Sequence, residues 1–186
     1  MPPCSLIVPS LETLGSYLVA LRRGWSPDNT RSVPAEEEIA RAESDPAAFV
    51  AALDDPDGRA GPIILPDGTR VPRLPGFRRW LWDGEVAGSI GFRWQPGAAA
   101  LPPHVLGHIG YAVVPWRRRR GYATAALSLL LKEVRPYGLA HVEVTADPDN
   151  LPLQRVITAN GGYLVERFEK AAAYGGGQSL RFRIDL

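Results

Sequence analysis

A run of four arginines followed by a glycine is the feature that most constrains the fold of this 186-residue chain. The segment Arg117–Ala126 reads RRRRGYATAA and follows an apolar, strand-like run over Ile109–Val114. The apolar periodicity from Tyr122 to Arg135 predicts a helix directly after it. A glycine loop between a strand and a helix is a ready anion site, because backbone N–H groups and the positive helix end face the same point. The segment therefore predicts a phosphate-binding turn.

The competing interpretation of this segment is an ordinary basic turn with a glycine that enters a helix. Neither the Walker A pattern nor GxGxxG occurs in the chain, so the common nucleotide-binding loops do not account for the segment. Four consecutive arginines repel one another unless an anion lies among them. This repulsion favours the phosphate site over the plain turn.

Composition limits the classes of protein to which the chain can belong. Its length is ample for one domain with a real hydrophobic core. The net charge of +1 gives no global basic field, so nucleic acid is not predicted as a partner. The single cysteine, Cys4, excludes an internal disulfide and a multi-cysteine metal site, and no metal is predicted. Without a signal-peptide pattern or a run of about 18 apolar residues, we expect a cytoplasmic protein with no membrane span.

The order of predicted elements is β-α-α-β-β-β-α-β-α-β-β, which is typical of an α+β fold around one sheet. In the first half, Ser10 is expected to cap a helix over Leu11–Arg23, and Asp54–Pro75 is expected to be a loop. A hairpin is predicted from Arg78–Trp82 to Val86–Trp94 around an Asp-Gly turn. The later strands are predicted at Gly107–Val114, His141–Ala146, Tyr163–Glu169 and Ser179–Leu186.

Two motifs in the second half resemble those of the GNAT superfamily of N-acyltransferases. Arg118–Ala123 fits (Gln/Arg)-x-x-Gly-x-(Gly/Ala), the pyrophosphate-binding signature of that superfamily. The segment DPDNLPLQRVITANGGYL is similar to a second family segment, with Asn150 at its asparagine position and Gly162-Tyr163 at its glycine-aromatic position. The runs GHIGYAVVP, RRGYAT and VITANGG also look like a bacterial subgroup of predicted acetyltransferases. The strong part of the resemblance covers about a third of the chain, over Gly107–Phe168.

The resemblance implies a GNAT-type mixed, mostly antiparallel sheet of about six to seven strands flanked by helices. The sheet would be splayed between its fourth and fifth strands, which are Gly107–Val114 and His141–Ala146 here. Residues 1–186 would form a single N-acetyltransferase domain, with a helical acceptor side over 1–75 and an acyl-CoA-binding core over 76–186. Acetyl-CoA would be the cosubstrate and a small amine or a peptide amine the acceptor. Homodimers are common in the superfamily, and a homodimer is left open.

The resemblance also implies which residues bind the cosubstrate. Backbone groups that the splay leaves unpaired would bind the pantetheine amides, and the loop amides with their arginine side chains would hold the pyrophosphate. Asn150 would face the pantetheine arm or its thiol end, although a plain helix N-cap explains this residue equally well. The predicted cosubstrate-binding residues are Val113, Val114, Arg118, Arg119, Arg120, Gly121, Tyr122, Ala123, Thr124 and Asn150.

The implied chemistry is direct attack of a neutral primary amine on the thioester, which requires a base that removes a proton from the ammonium. His108 stands ten residues before Arg118, where some GNAT enzymes carry a glutamate, and histidine titrates near neutrality. It is the candidate base, with a satisfied sheet histidine as the competing interpretation, and Glu143 is a weaker alternative. The tyrosine acid of many members is replaced by Ile157. A catalytically weak acyl-CoA-binding sensor or interaction module therefore stays open as a second function.

Charge is uneven along the chain. Pro34–Asp57 contains eight acidic residues and one arginine, a net charge of −7, which leaves +8 for the remainder. Such a segment is usually a solvated helix face. The alternative is an acidic rim that attracts a cationic amine to the acceptor site.

Overall fold

The computed structural model describes residues 3–28, 35–65 and 67–186. Pro34, the first residue of the acidic segment, lies outside the described residues. The helices are α1 Leu11–Arg22, α2 Ala35–Ser44, α3 Pro46–Ala51, α4 Tyr122–Val134 and α5 Leu151–Ala159. The strands are β1 Ser5–Ile7, β2 Asp54–Asp55, β3 Ile63–Ile64, β4 Arg70–Val71, β5 Gly76–Trp82, β6 Val86–Arg93, β7 Ile109–Val113, β8 His141–Ala146, β9 Tyr163–Glu169 and β10 Gln178–Asp185.

The described strands form two main sheets and one small hairpin. The first sheet has the order β1-β5-β6-β7, with β2 paired to β5, and the second has the order β8-β10-β9. Every described strand pair is antiparallel. Seven described strands are at least three residues long, which agrees with the six to seven predicted.

The segment predicted as one long loop, Asp54–Pro75, contains the three shortest strands. Ile63-Ile64 pairs with Arg70-Val71 across a turn in which the Asp67 carboxylate accepts the Thr69 N–H at 2.9 Å. Asp54-Asp55 pairs with the start of β5. Each ladder holds only two residues per strand, so the sequence shows no alternating pattern long enough to predict a strand.

The first sheet lies between two helical layers. On one face, α1 buries Tyr17, whose ring stacks on Trp80 of β5 at 4.5 Å between centroids. The predicted cap of α1 is confirmed, because the Ser10 hydroxyl accepts the Thr13 N–H in a reciprocal capping box. On the other face, α4 buries Leu127 and Leu130 in a core that includes both sheets. This second core brings the carboxyl end of β7 next to the start of α4.

The predicted splay between the fourth and fifth strands is confirmed, since β7 and β8 belong to different sheets. They meet at one end, where the His108 N–H donates to the Glu143 carbonyl at 2.8 Å. Gly107 permits this approach, because a Cβ there would lie 3.0 Å from the Glu143 carbonyl oxygen. Beyond this junction the two strands separate and leave an opening that leads toward α4.

None of the helices in the described ranges has both the length and the apolar character that crossing a membrane requires. The same described residues contain no cluster of histidine, cysteine and acidic side chains that could hold a metal ion.

Candidate acetyl-CoA site

The loop between β7 and α4 has a backbone suited to an anion. Arg119 has φ of 61° and is the one non-glycine residue with positive φ among the described residues. Gly121, the N-cap of α4, has φ of 81° and ψ of 0° and provides no side-chain cap. Left-handed residues that alternate with ordinary ones turn successive N–H groups toward one concave side. The loop is therefore shaped as an anion nest that continues into the helix.

The first turn of α4 adds donors at the same point. The first hydrogen bond within the helix runs from the Ala125 N–H to the Gly121 carbonyl at 3.0 Å. The N–H groups of Tyr122, Ala123 and Thr124 precede it, and such groups have no partner within their own helix. The side chains of Arg118, Arg119 and Arg120 are exposed beside them. Five positions of the predicted signature thus present charge or donors to one region of solvent.

Side-chain contacts hold this loop in place. The Tyr122 hydroxyl donates to the Asp83 carboxylate, which also accepts from Arg117 Nε at 2.8 Å. Burial raises the pKa of Asp83, but the hydrogen bonds from Tyr122 and Arg117 outweigh it and hold this pKa below its usual value. Asp83 belongs to the predicted Asp-Gly turn, and its second role as an acceptor for this loop was not predicted from the sequence. The Tyr122 side chain is thus an anchor, and only its backbone faces the nest.

The edge of β7 that faces the opening carries backbone groups that the ladder with β6 does not use. The Val114 N–H donates to Ala87 on the β6 side, and the Arg93 N–H donates to the His108 carbonyl. In an antiparallel ladder, hydrogen-bonded residues alternate with residues that do not bond to the neighbouring strand. His108 and Val114 bond to the β6 side, so the odd-numbered residues between them turn their N–H and C=O groups away from β6. These residues are Ile109, Tyr111 and Val113.

The two valines predicted to contact the cosubstrate differ in what they offer. The Val113 carbonyl faces the opening and accepts from Arg118 Nε at 3.1 Å. The Val114 N–H donates to the Ala87 carbonyl at 3.0 Å, and the Val114 carbonyl accepts from the Arg117 N–H at 3.0 Å. The sheet and the turn thus already use both backbone groups of Val114, and its contact with the cosubstrate stays a prediction.

Asn150 and Thr124 also have structural contacts. The Asn150 side-chain oxygen accepts the Leu153 N–H at 3.1 Å and caps α5, as the competing interpretation held. The Thr124 carbonyl accepts from the Asn160 amide at 3.3 Å, which ties α4 to the end of α5. Asn150 is nevertheless exposed, so the cap does not bury it away from a ligand.

His108 lies at the junction of β7 and β8 and is fully buried. Its Nδ1 accepts the Glu143 N–H at 2.9 Å, so the ring proton is on Nε2. Nε2 is buried and makes no hydrogen bond to the described residues. Burial lowers the pKa of His108 to about 4, and the Glu143 carboxylate only partly opposes this shift. The expectation of a base that titrates near neutrality therefore does not match these surroundings.

Glu143 is held by two arginines of β10. Its carboxylate lies 3.1 Å from Nη2 of Arg183 and 3.3 Å from Nη1 of Arg181, and its side chain is 9% exposed. Glu143 points away from the core to which its neighbours Val142 and Val144 belong. The two guanidinium groups thus occupy both oxygens of the carboxylate.

The acidic segment is largely ion-paired, which supports the interpretation as a solvated helix face. Asp45 caps α3 by accepting the Ala48 N–H at 2.9 Å. Four other acidic residues pair with arginines: Glu38 with Arg78 at 3.1 Å, Glu43 with Arg22 at 2.5 Å, Asp54 with Arg79 at 3.5 Å and Asp57 with Arg59 at 3.2 Å. These pairs leave little unbalanced negative charge for an acidic rim.

Solved structures share the overall fold of this chain. RimJ of Mycobacterium smegmatis, in complex with CoA-disulfide, gives a TM-score of 0.69 at 18% identity over 99% of this chain and 83% of that chain. The microcin C7 self-immunity acetyltransferase MccE, in complex with acetyl-CoA and AMP, gives 0.65 at 11% identity over 98% and 92%. RimL, a ribosomal L7/L12 alpha-N-protein acetyltransferase in complex with coenzyme A, gives 0.62 at 12% identity over 98% and 94%.

A sequence model of the Acetyltransferase (GNAT) family matches residues 18–162. No match was found among curated proteins. Because the matched region covers most of the chain, the protein belongs to the GNAT acetyltransferase family. Membership of the family confirms four predictions: the family itself, its fold, an acyltransferase activity and acetyl-CoA as cosubstrate. The individual site residues and the division of the domain at residue 75 stay predictions.

Proposed function

We propose that this protein transfers the acetyl group of acetyl-CoA to a primary amine by direct attack of the amine on the thioester. The observation that carries the proposal is the continuity of two features: the opening between β7 and β8 leads to the anion nest at the start of α4. An extended thioester with a diphosphate at one end needs these two features in this order. The acceptor is a small amine or a peptide amine, and the protein acts in the cytoplasm as a monomer or homodimer.

The diphosphate would lie against the N–H groups of Arg119–Thr124, with the guanidinium groups of Arg118–Arg120 around it. Charge-assisted hydrogen bonds from backbone and guanidinium donors are the strong contacts that anions form in proteins. The pantetheine amides would pair with backbone groups on the edge of β7 that faces away from β6, at Val113 and Tyr111. Near the junction, an N–H on the same edge of β7 would stabilise the oxygen of the tetrahedral intermediate.

Proton transfer is the step for which the chain offers the least. The His108 lone pair on Nδ1 is taken by the Glu143 N–H, and the Glu143 carboxylate is paired with Arg181 and Arg183. We propose that the ammonium loses its proton to water in the cleft and that the departing thiolate of CoA takes a proton from water. The attack forms the C–N bond, and collapse of the intermediate breaks the C–S bond.

The alternative function is acyl-CoA binding with little turnover. The position of the usual tyrosine acid is Ile157, whose side chain is fully buried in the core and has no proton to give. A loss of the acid slows release of the thiolate but leaves the binding surfaces intact.

Two measurements on the same preparation test the proposed function. At about 100 times its dissociation constant, acetyl-CoA should stabilise the fold by roughly 2.7 kcal/mol, which a thermal melt detects. Free thiol released with a panel of primary amines measures turnover. A melting shift without thiol release supports the binding-only alternative, and the absence of both contradicts the proposal.

A further inference from the structure

Two glycines face each other across the first sheet and leave a bare patch on it. Gly91 of β6 pairs directly with Gly110 of β7, and Arg78 of β5 continues the same row. Directly opposed residues of adjacent strands place their side chains on the same face of a sheet. The next row along this face contains Trp80 and Ala112, which pack under α1. The bare patch therefore lies on the face that α1–α3 cover, beyond the edge of that helical layer.

Arg93 covers this patch. It lies two residues after Gly91 in β6, so its side chain is on the same face. A Cβ placed on Gly110 would be 3.5 Å from Nη2 of Arg93, so the guanidinium lies over the spot that this glycine leaves open. Arg93 is also exposed to solvent.

Arg93 has no ion-pair partner within the described part of the chain, whereas its neighbour Arg78 is paired with Glu38 at 3.1 Å. Arg78 and Arg73 are the like charges that act on it, and Asp28 and Tyr174 partly offset them. Partial burial and the charge of Arg78 both lower the pKa of Arg93. An exposed arginine with no direct ion-pair partner among the described residues is a strong site for an anionic group of a ligand.

The position of Arg93 separates it from the diphosphate site. Gly110 lies four residues before Val114 along β7, a distance of about 13 Å at the usual rise of a strand. The phosphate nest begins only after Val114. Arg93 is, however, next to the junction of β7 and β8, because its N–H donates to the His108 carbonyl at 2.9 Å. Arg93 is thus next to the end of the opening where the acyl group would lie.

We propose that Arg93 binds a carboxylate of the acceptor, so that the substrate is an amine that carries a carboxylate. This inference rests on the proposed function and names the substrate class of the same site. The planar guanidinium matches a carboxylate with two parallel hydrogen bonds. Because Gly91 and Gly110 have no side chains, the guanidinium can lie close to the sheet, so a carboxylate bound to it would be near the junction where the thioester would lie. The carboxylate can belong to a free amino acid or to an acidic residue of a peptide.

Paired acceptors that differ only in the carboxylate test the inference. One arm compares amino acids with their amides, and the other compares short peptides that carry aspartate or asparagine as the second residue. For one of the arms, kcat/KM from thiol release should favour the carboxylate member by about ten- to a hundredfold. Arg93→Gln should bring this ratio to about one, and Arg93→Lys should keep part of it. Arg135→Gln, at an exposed arginine beyond the end of α4, is the matched control and should keep the full ratio.

The KM for acetyl-CoA should be unchanged in Arg93→Gln, which separates acceptor binding from cosubstrate binding. Thiol release with neutral amines and no preference in either arm overturns this inference and leaves the proposed function standing. A preference that survives in Arg93→Gln also overturns it. If no amine is turned over, calorimetric titration of the same acceptor pairs into the CoA complex tests the inference. It is contradicted if the carboxylate member of each pair does not bind, or binds no more tightly than its neutral counterpart.

Discussion

Replacement of His108 distinguishes a structural histidine from a catalytic base. The ring is fully buried at the junction of β7 and β8, and its one hydrogen bond to the described residues is the one that Nδ1 accepts from the Glu143 N–H. His108→Ala removes the ring and leaves this N–H without its acceptor. Loss of a buried ring and an unsatisfied buried donor together should cost about 3–5 kcal/mol. His108→Asn should cost less, because its side-chain oxygen can take the place of Nδ1.

The pH dependence of stability gives an independent measure of how much the buried, neutral His108 contributes to the free energy of unfolding. The pKa of His108 is about 4 in the folded protein and 6.5 ordinarily, so the unfolded chain binds the proton first as the pH falls. The contribution of neutral His108 to the free energy of unfolding is therefore complete above about pH 6.5. It is lost as the pH falls through 4, and the loss is about 3 kcal/mol. His108→Asn lacks this titration. The difference in stability between wild type and His108→Asn should thus shrink by about this amount from pH 7 to pH 4.

Urea unfolding at a series of pH values measures both magnitudes, and initial rates of thiol release are read on the same preparations. If His108 is structural, folded His108→Asn should keep the amine-saturated rate within about threefold of wild type. Removal of a true general base should instead lower this rate by about 10²–10⁴. A rate that falls by that factor in His108→Asn, with stability unchanged at all pH values, refutes the structural role. It would restore His108 as the base.

Three further substitutions test the loop and its supports. Gly121→Val should weaken acetyl-CoA binding by roughly tenfold or more, because a β-branched residue resists a φ of 81°. Gly121→Asn should retain most of the affinity. Calorimetry measures the affinity of both variants, and equal affinities would contradict the role of this φ angle. Asp83→Ala should lower stability by about 1–3 kcal/mol and weaken acetyl-CoA binding, because Tyr122 and Arg117 lose their acceptor; an unchanged affinity would show that the loop needs no anchor. Asn150→Ala should cost about 1 kcal/mol in thermal unfolding through loss of the α5 cap, and a large loss of affinity would instead place Asn150 on the cosubstrate.

Local patterns predicted the elements of the fold well. Ser10 and the apolar stripe after it predicted α1, and the Asp-Gly turn between two apolar runs predicted the β5–β6 hairpin. The signature glycine predicted the start of α4, because a left-handed N-cap is a property of one residue and its neighbours. These features depend on contacts a few residues apart, and the sequence displays such contacts directly.

The properties of the site depend on distant contacts, and these the sequence did not display. The pKa of His108 is set by burial where two sheets meet, and Glu143 is neutralised by arginines from β10. The sequence left an acidic rim open as the alternative for the acidic segment, because the arginines that pair with it, such as Arg22 and Arg78, lie elsewhere in the chain. Arg93 went unnoticed for the same reason, since the pairing of Gly91 with Gly110 becomes visible only with the strand register.

A crystal structure of the protein with acetyl-CoA tests the central claim most directly. The account predicts diphosphate oxygens about 3 Å from the backbone nitrogens of Arg119–Thr124 and a pantetheine arm in the opening between β7 and β8. The thioester should lie near the His108–Glu143 junction, on the side that Arg93 faces. A diphosphate bound elsewhere, for example in the cleft formed by Ser16, Arg23 and Trp116 beside α1, would contradict the account.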